Sequence, residues 1–184
     1  MAGGLMDHAQ DYKCPDPEIE GWMGWNELQW LHDRAKEMNA IVEVGSWKGR
    51  STHALLATGR PVIAVDHFKG SASQINDVHQ WAKFNDLYQA FKQNVGRFQN
   101  LFVMKMESEK AAEFFKDKSV DMILIDGDHE LEMFRKDMEA WFPKCRKLLC
   151  GHDLYFMDVG EVLRESELPY RYENPVESIW SIRL

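Results

Sequence analysis

Five short polar clusters in this chain could do chemistry, and each directly follows an apolar run. They are Glu43 with Gly45, Asp66-His67, Glu107-Ser108, Asp126-Gly127-Asp128-His129 and His152-Asp153. Such carboxylates and imidazoles can accept hydrogen bonds from ribose hydroxyls, move a proton near neutral pH, or ligate a divalent cation. One acidic residue after an apolar run is usually a helix cap or a solvated loop. Five in succession point to one functional edge.

Bringing the clusters together is the task of the elements between them. Apolar runs at 40–44, 62–65, 101–106, 120–125 and 147–150 read as strands. Helical patterns lie between and around them, at 26–38, 51–58, 81–95, a stretch carrying Ala112 and Phe115, 130–142 and 159–167. Ser108 is placed to cap the helix of Ala112. Two closing strands, 170–172 and 179–183, flank a turn containing Pro175. Strands alternating with helices predict an α/β fold, a doubly wound, mostly parallel sheet covered on both faces with an antiparallel pair at its end. In a parallel sheet all five strand ends share one edge, where open α/β sheets bind ligands.

The first strand runs into Gly45-Ser46-Trp47-Lys48-Gly49-Arg50-Ser51-Thr52, a glycine-containing turn and then hydroxyl residues that can open a helix. A dinucleotide fingerprint needs a third glycine that this turn lacks. Asp66, 21 residues after Gly45, sits where a carboxylate can hold both hydroxyls of a ribose, which suits any adenosine ligand. Glu43 beneath the turn and the scarcity of cationic groups argue against a pyrophosphate.

With 184 residues, 45% hydrophobic and 28% charged, the chain is globular and long enough for a sizeable core. We divide it into an N-terminal arm, 1–19, with Gly3-Gly4 and Cys14-Pro15-Asp16-Pro17, and one domain, 20–184. A net charge of −8 with interspersed signs argues against nucleic-acid or membrane partners. Cys14, Cys145 and Cys150 form no disulfide framework, and there is no apolar stretch for a membrane span or signal peptide, so a cytoplasmic location is expected. Trp22, Met23 and Trp25 suit a packing lid or a substrate wall, and 70–78 a polar loop over the site. His79 and Trp81 beside that loop are candidates for lining the pocket, and His53 is read as structural.

Taken in order, Glu43-Val-Gly45-Ser-Trp-Lys-Gly49-Arg-Ser51-Thr, Val65-Asp66-His67-Phe, Ile125-Asp126-Gly-Asp128-His129 and Gly151-His152-Asp153-Leu-Tyr resemble the class I S-adenosylmethionine-dependent methyltransferases. The nearest subset is methyltransferase family 24, similar to the catechol and caffeoyl-CoA O-methyltransferases. The resemblance covers about residues 20–184 and implies a Rossmann-like, seven-stranded sheet whose last strands form a reversed hairpin. It implies that the turn (Glu43, Gly45, Ser46, Trp47, Gly49 and Ser51) holds the methionine part of the cofactor. Asp66 would hold the ribose, His67 and Ser108 would flank the adenine, and Asp126 and Asp128 would lie against the cofactor.

In the metal-dependent relatives an aspartate on the fourth strand and an acidic pair or acidic-amide pair on the fifth hold a cation. Asp126 and Asp153 match, while Leu154 occupies the usual amide position and His152 precedes the aspartate. Asp126, His152 and Asp153 are therefore the candidate ligands for Mg²⁺ or another divalent cation, with His152 alternatively a supporting or core residue. His129 stands where the catechol-type enzymes carry a catalytic lysine, so His129 with Asp126 is the candidate catalytic pair; a helix cap is its other reading. The expected activity is methylation of a hydroxyl on a small molecule or sugar. A metal-independent O- or N-methyltransferase, a non-catalytic adenosine-binding module and a nicotinamide oxidoreductase remain as alternatives. The short N-terminal cover leaves the pocket either open or completed by a second copy in a homodimer.

Overall fold

A computed structural model describes residues 12–13, 18–70, 77–173 and 176–184. Seven strands form one sheet in the order β3-β2-β1-β4-β5-β7-β6. β1 (Ile41–Val44) lies at its centre, parallel to β2 (Val62–Val65) on one side and β4 (Val120–Ile125) on the other. β3 (Leu101–Met104) and β5 (Cys145–Gly151) extend the parallel part. β7 (Val176–Arg183) runs antiparallel to β5 and to the short edge strand β6 (Arg171–Glu173), the expected reversed pair.

Alternation along the buried strands sends side chains to two cores. Ile41, Met122 and Leu124 meet Leu28 and Leu31 of α1 (Trp25–Ala35), Leu55 of α2 (Arg50–Leu56) and Phe91 of α4 (Leu87–Val95). Val42, Val44, Ile123 and Ile125 meet Ala111 of α5 (Ser108–Ala112), Phe134 of α6 (Leu131–Trp141) and Val162 of α7 (Met157–Glu165). Burying each such Leu, Ile or Phe stabilises the fold by roughly 1.5–3 kcal/mol, so the strand ends are held on a stiff platform. The chain winds outward from β1 in both directions, which opens a crevice at the carboxyl ends of β1 and β4.

The helix expected over 81–95 is two helices, α3 (Asp77–Phe84) and α4. The break falls at Asp86, whose carboxylate accepts the Gln89 N–H at 3.0 Å and caps α4. Apolar periodicity runs through this break, so the cap alone marks it. The third strand ends at Met104, two residues before the expected Met106. Residues 71–76, Pro175, Cys14 and most of the arm lie outside the described residues. Among the described residues, no helix is long and apolar enough to cross a membrane.

Candidate active site

The turn after β1 is built by main-chain geometry. Gly45 has φ +83° and donates its N–H to Val65 O at 2.9 Å; a Cβ there would lie 2.2 Å from the Asp126 carbonyl oxygen. Trp47 also takes a left-handed φ, +47°, and Gly49, at +92°, opens α2. Ser46 and Trp47 N–H groups donate to Asp66 Oδ2 at 2.9 and 3.0 Å, and the Phe68 N–H donates to Oδ1 at 2.6 Å. The strand-two carboxylate is thus locked onto the turn, with lone pairs left for a ligand.

Beneath the turn, Glu43 is fully buried and accepts the hydroxyls of Ser46, at 2.7 Å, and Thr52. Burial pushes its carboxyl up to about 7, against the hydrogen bonds of Ser51, Thr52 and Ser46, with the Asp126 charge adding to the rise. Glu43 supports the turn from below. Gly49 packs toward Phe91 and Val95, while Gly45, Ser46, Trp47, Ser51, Asp66 and His67 line the cleft above.

At the end of β3 the helix-capping position of α5 falls to Glu107, correcting the placement of Ser108 as cap. The Ser108 hydroxyl instead accepts the Trp141 indole N–H at 2.8 Å and bonds to Asp137. Asp137, 6% exposed, lines the same cleft and has no counterpart in the sequence analysis. Burial pushes its carboxyl up to about 6, against the Ser108 bond, and Glu109 and Asp128 add to the rise. Its position on an amphipathic helix gave no signal that it faces inward. Asp128 accepts the Glu130 N–H at 3.0 Å and shapes the entry to α6.

The ends of β4 and β5 carry the charged centre. His129 Nε2 lies 3.0 Å from Asp153 Oδ2 and 3.8 Å from Asp126 Oδ1. His152 Nδ1 lies 3.2 Å from Asp153 Oδ1 and 3.8 Å from Asp126 Oδ1, while its Nε2 lies 3.0 Å from Glu27 Oε1 of α1. Burial opposes charge on both rings, but these carboxylates override it and raise His129 to about 9 and His152 to about 11. Asp153 shows the reverse: burial would raise its carboxyl, and the two imidazoles hold it well below the usual range. His129 stacks on Phe156 at 5.1 Å and faces the carboxylates. Its place in this charged network goes beyond a helix cap.

One ligating atom each from Asp126, His152 and Asp153 lies within 4.8 Å of the others. The 3.2 and 3.8 Å spacings about His152 Nδ1 suit neighbouring donors in a shell of ~2.1 Å bonds, so the donor set fits a divalent cation.

The N-terminal segment closes one side of the cleft. Arg50 donates from Nε to Met23 O and from Nη1 to Ile19 O, both at 2.7 Å, and pairs with Glu18 at 2.5 Å. Lys48 pairs with Glu20 at 2.8 Å and sits 3.9 Å over the Trp81 ring. The clamp sets Trp22 against Trp47, ring centroids 5.6 Å apart, as a half-exposed wall of the cleft. Met23, buried, lines the cleft beside Trp22, while Trp25 stacks on Tyr12 and does not reach it. His53 Nδ1 meets the Tyr12 hydroxyl at 2.9 Å, the structural role expected of it. The side chain of His79 lies outside the described residues. The cleft is about 280 Å³.

Residues 42–154 match the model of a family described as a methyltransferase domain. No curated protein matches the chain. A Staphylococcus aureus protein provisionally assigned as a caffeoyl-CoA O-methyltransferase has a similar structure, with TM-score 0.64, 17% identity and coverage of 89% of this chain and 86% of that one. An O-methyltransferase from Bacillus cereus in complex with SAH (S-adenosylhomocysteine) gives 0.57 at 14% identity, over 90% and 84%. An SAH-bound methyltransferase from Podospora anserina gives 0.60 at 12%, over 88% and 79%. At these identities the likeness is one of fold.

Proposed function

The chain belongs to the methyltransferase-domain family that its residues 42–154 match, and on that premise we propose that it moves the methyl group of S-adenosylmethionine onto a hydroxyl of a small molecule or sugar. The observation that carries this reading is the sign of the cleft. Asp66, Asp126, Asp128, Asp137 and Asp153 line it with Glu107 and Glu109, outnumbering the charged His129 and His152 rings, and its guanidinium, Arg50, is spent on Glu18 and the 19–23 backbone. Such a wall favours a sulfonium and an ammonium over a pyrophosphate.

In the transfer the sulfur–methyl bond breaks as the oxygen–methyl bond forms, leaving S-adenosylhomocysteine, and the hydroxyl proton passes to the protein. Asp66 and the turn hold the donor, so most of the acceleration comes from alignment. Protein groups for the proton are His129 and the carboxylates of Asp126 and Asp153, all at the cleft floor. With both carboxylates pressed on it, His129 holds its proton at neutral pH. A divalent cation on Asp126, His152 and Asp153 would lower the hydroxyl pKa and replace the proton charge there, freeing His129 as base.

The test is a labelled-methyl transfer assay on a panel of phenolic, sugar and amine acceptors, alongside calorimetry with S-adenosylhomocysteine. Micromolar binding without competition from NADH is expected, with label recovered on oxygen and turnover stopped by EDTA. No binding would sink the donor. Label on nitrogen would move the acceptor class, and turnover surviving EDTA would leave His129 to act without a metal.

A further inference from the structure

Glu27 is far from every strand end in sequence, yet its carboxylate reaches the charged centre. It lies in the first turn of α1, where one oxygen, Oε2, accepts the Gly24 N–H at 2.6 Å. A glutamate reaching back in this way is ordinary helix capping. The other oxygen is not used by the helix: Oε1 lies 3.0 Å from Nε2 of His152, 125 residues away in the chain. His152 is 6% exposed, and its second nitrogen, Nδ1, faces Asp153 at 3.2 Å and Asp126 at 3.8 Å.

An imidazole has two nitrogens, and a ring flip or tautomer change exchanges their roles. A carboxylate on Nε2 removes that choice: Nε2 must carry a hydrogen, and Nδ1 is left toward the aspartates. Metal-binding histidines are oriented in this way, the unligated N–H donating to a carboxylate that fixes the ring and raises its basicity. We propose that Glu27 is a positioning residue of this site, holding His152 so that Nδ1 serves as the nitrogen ligand of a divalent cation shared with Asp126 and Asp153. This inference rests on the cation in the function proposed above.

The arrangement also explains how the site works with histidine before the aspartate. A histidine is larger than a carboxylate and pivots about two bonds, so it needs an outer partner to hold its lone pair on target. Glu27 supplies that partner from α1, the helix that starts just after the clamped 18–23 segment.

The test uses the full chain and Mn²⁺ as probe, with affinity read by titration and the ligand type by pulsed electron paramagnetic resonance. The wild type should bind Mn²⁺ with a nitrogen coupling that His152→Ala removes. Glu27→Ala should weaken Mn²⁺ about 10–100-fold, the range for loss of such an outer partner. S-Adenosylhomocysteine affinity should stay within about twofold, since Glu27 does not line the cleft. Glu27→Gln, whose carbonyl can still accept the Nε2–H, should keep the coupling and recover part of the affinity. The nitrogen coupling retained in Glu27→Gln reads the orientation of His152 directly, and it decides the matter if Glu27→Ala does not fold. Mn²⁺ bound without nitrogen coupling, or bound equally by wild type and both Glu27 variants, overturns the role of Glu27 alone. Failure of the wild type to bind Mn²⁺ removes the cation, and Glu27 with it.

Discussion

Around Gly45 the cleft presents main-chain amides, glycine dihedrals and a carboxylate already tied down by three N–H groups. Around Asp153 it presents side chains alone, two imidazoles and two carboxylates from the loops after β4 and β5, with Glu27 of α1 behind them. The first region is shaped by main-chain geometry and offers few atoms that can be replaced. The second is held by charge, so its members can be removed one at a time without undoing the sheet. In the function proposed above the difference separates two tasks: the turn would bind the donor, and the charged centre would act on the acceptor.

The severest way to break that division is Gly45→Ala. A methyl group 2.2 Å from the Asp126 carbonyl, at φ +83°, must push β1 and β4 apart. We expect loss of donor binding together with a fall of at least about 3 kcal/mol in stability, read by calorimetry and urea unfolding.

A double dissociation sharpens it. Asp66→Ala strips the acceptor from two turn amides and the Phe68 N–H and should abolish S-adenosylhomocysteine binding. Asp153→Ala should leave that binding within about threefold while lowering kcat by about 10²–10⁴, the range for losing a proton-handling group. Equal loss of donor affinity in both variants would show that the two regions are one.

The smallest effect lies at Asp137, which lines the cleft beside Ser108 and is held by burial. Its folded carboxyl, raised to about 6 from 3.8, keeps a proton that the unfolded chain has already released. Between those values stability therefore falls as pH rises, and above about 6 the full cost of ionisation is present. Asp137→Asn should gain at most about 3 kcal/mol over wild type at about pH 8, shrinking to nothing below about pH 4. A gain that does not change with pH would mean that charge is not what is relieved.

How far the sequence shows this site follows from the range of each interaction. Strand ends are legible because a parallel sheet needs unbroken apolar runs, and the polar residue after each run has nowhere else to go. Asp126, His129, His152 and Asp153 emerged from that rule and do meet. The helix break at Asp86 was hidden because Phe84, Leu87 and Phe91 continue the apolar period across it. Glu27 was hidden for a different reason: its local role as a capping residue is a sufficient account of the residue until α1 is seen beside β5.

The clamp that Arg50 and Lys48 place on residues 18–23 has a practical meaning for redesign. A Cβ at Gly21 would meet the Arg50 side chain at 2.7 Å, so segment and turn were shaped to each other. Anyone exchanging the entrance of this enzyme for that of a relative, to change what it methylates, must transplant both pieces as one cassette. Moving the segment alone would leave the buried Lys48 and the half-buried Arg50 without their anions.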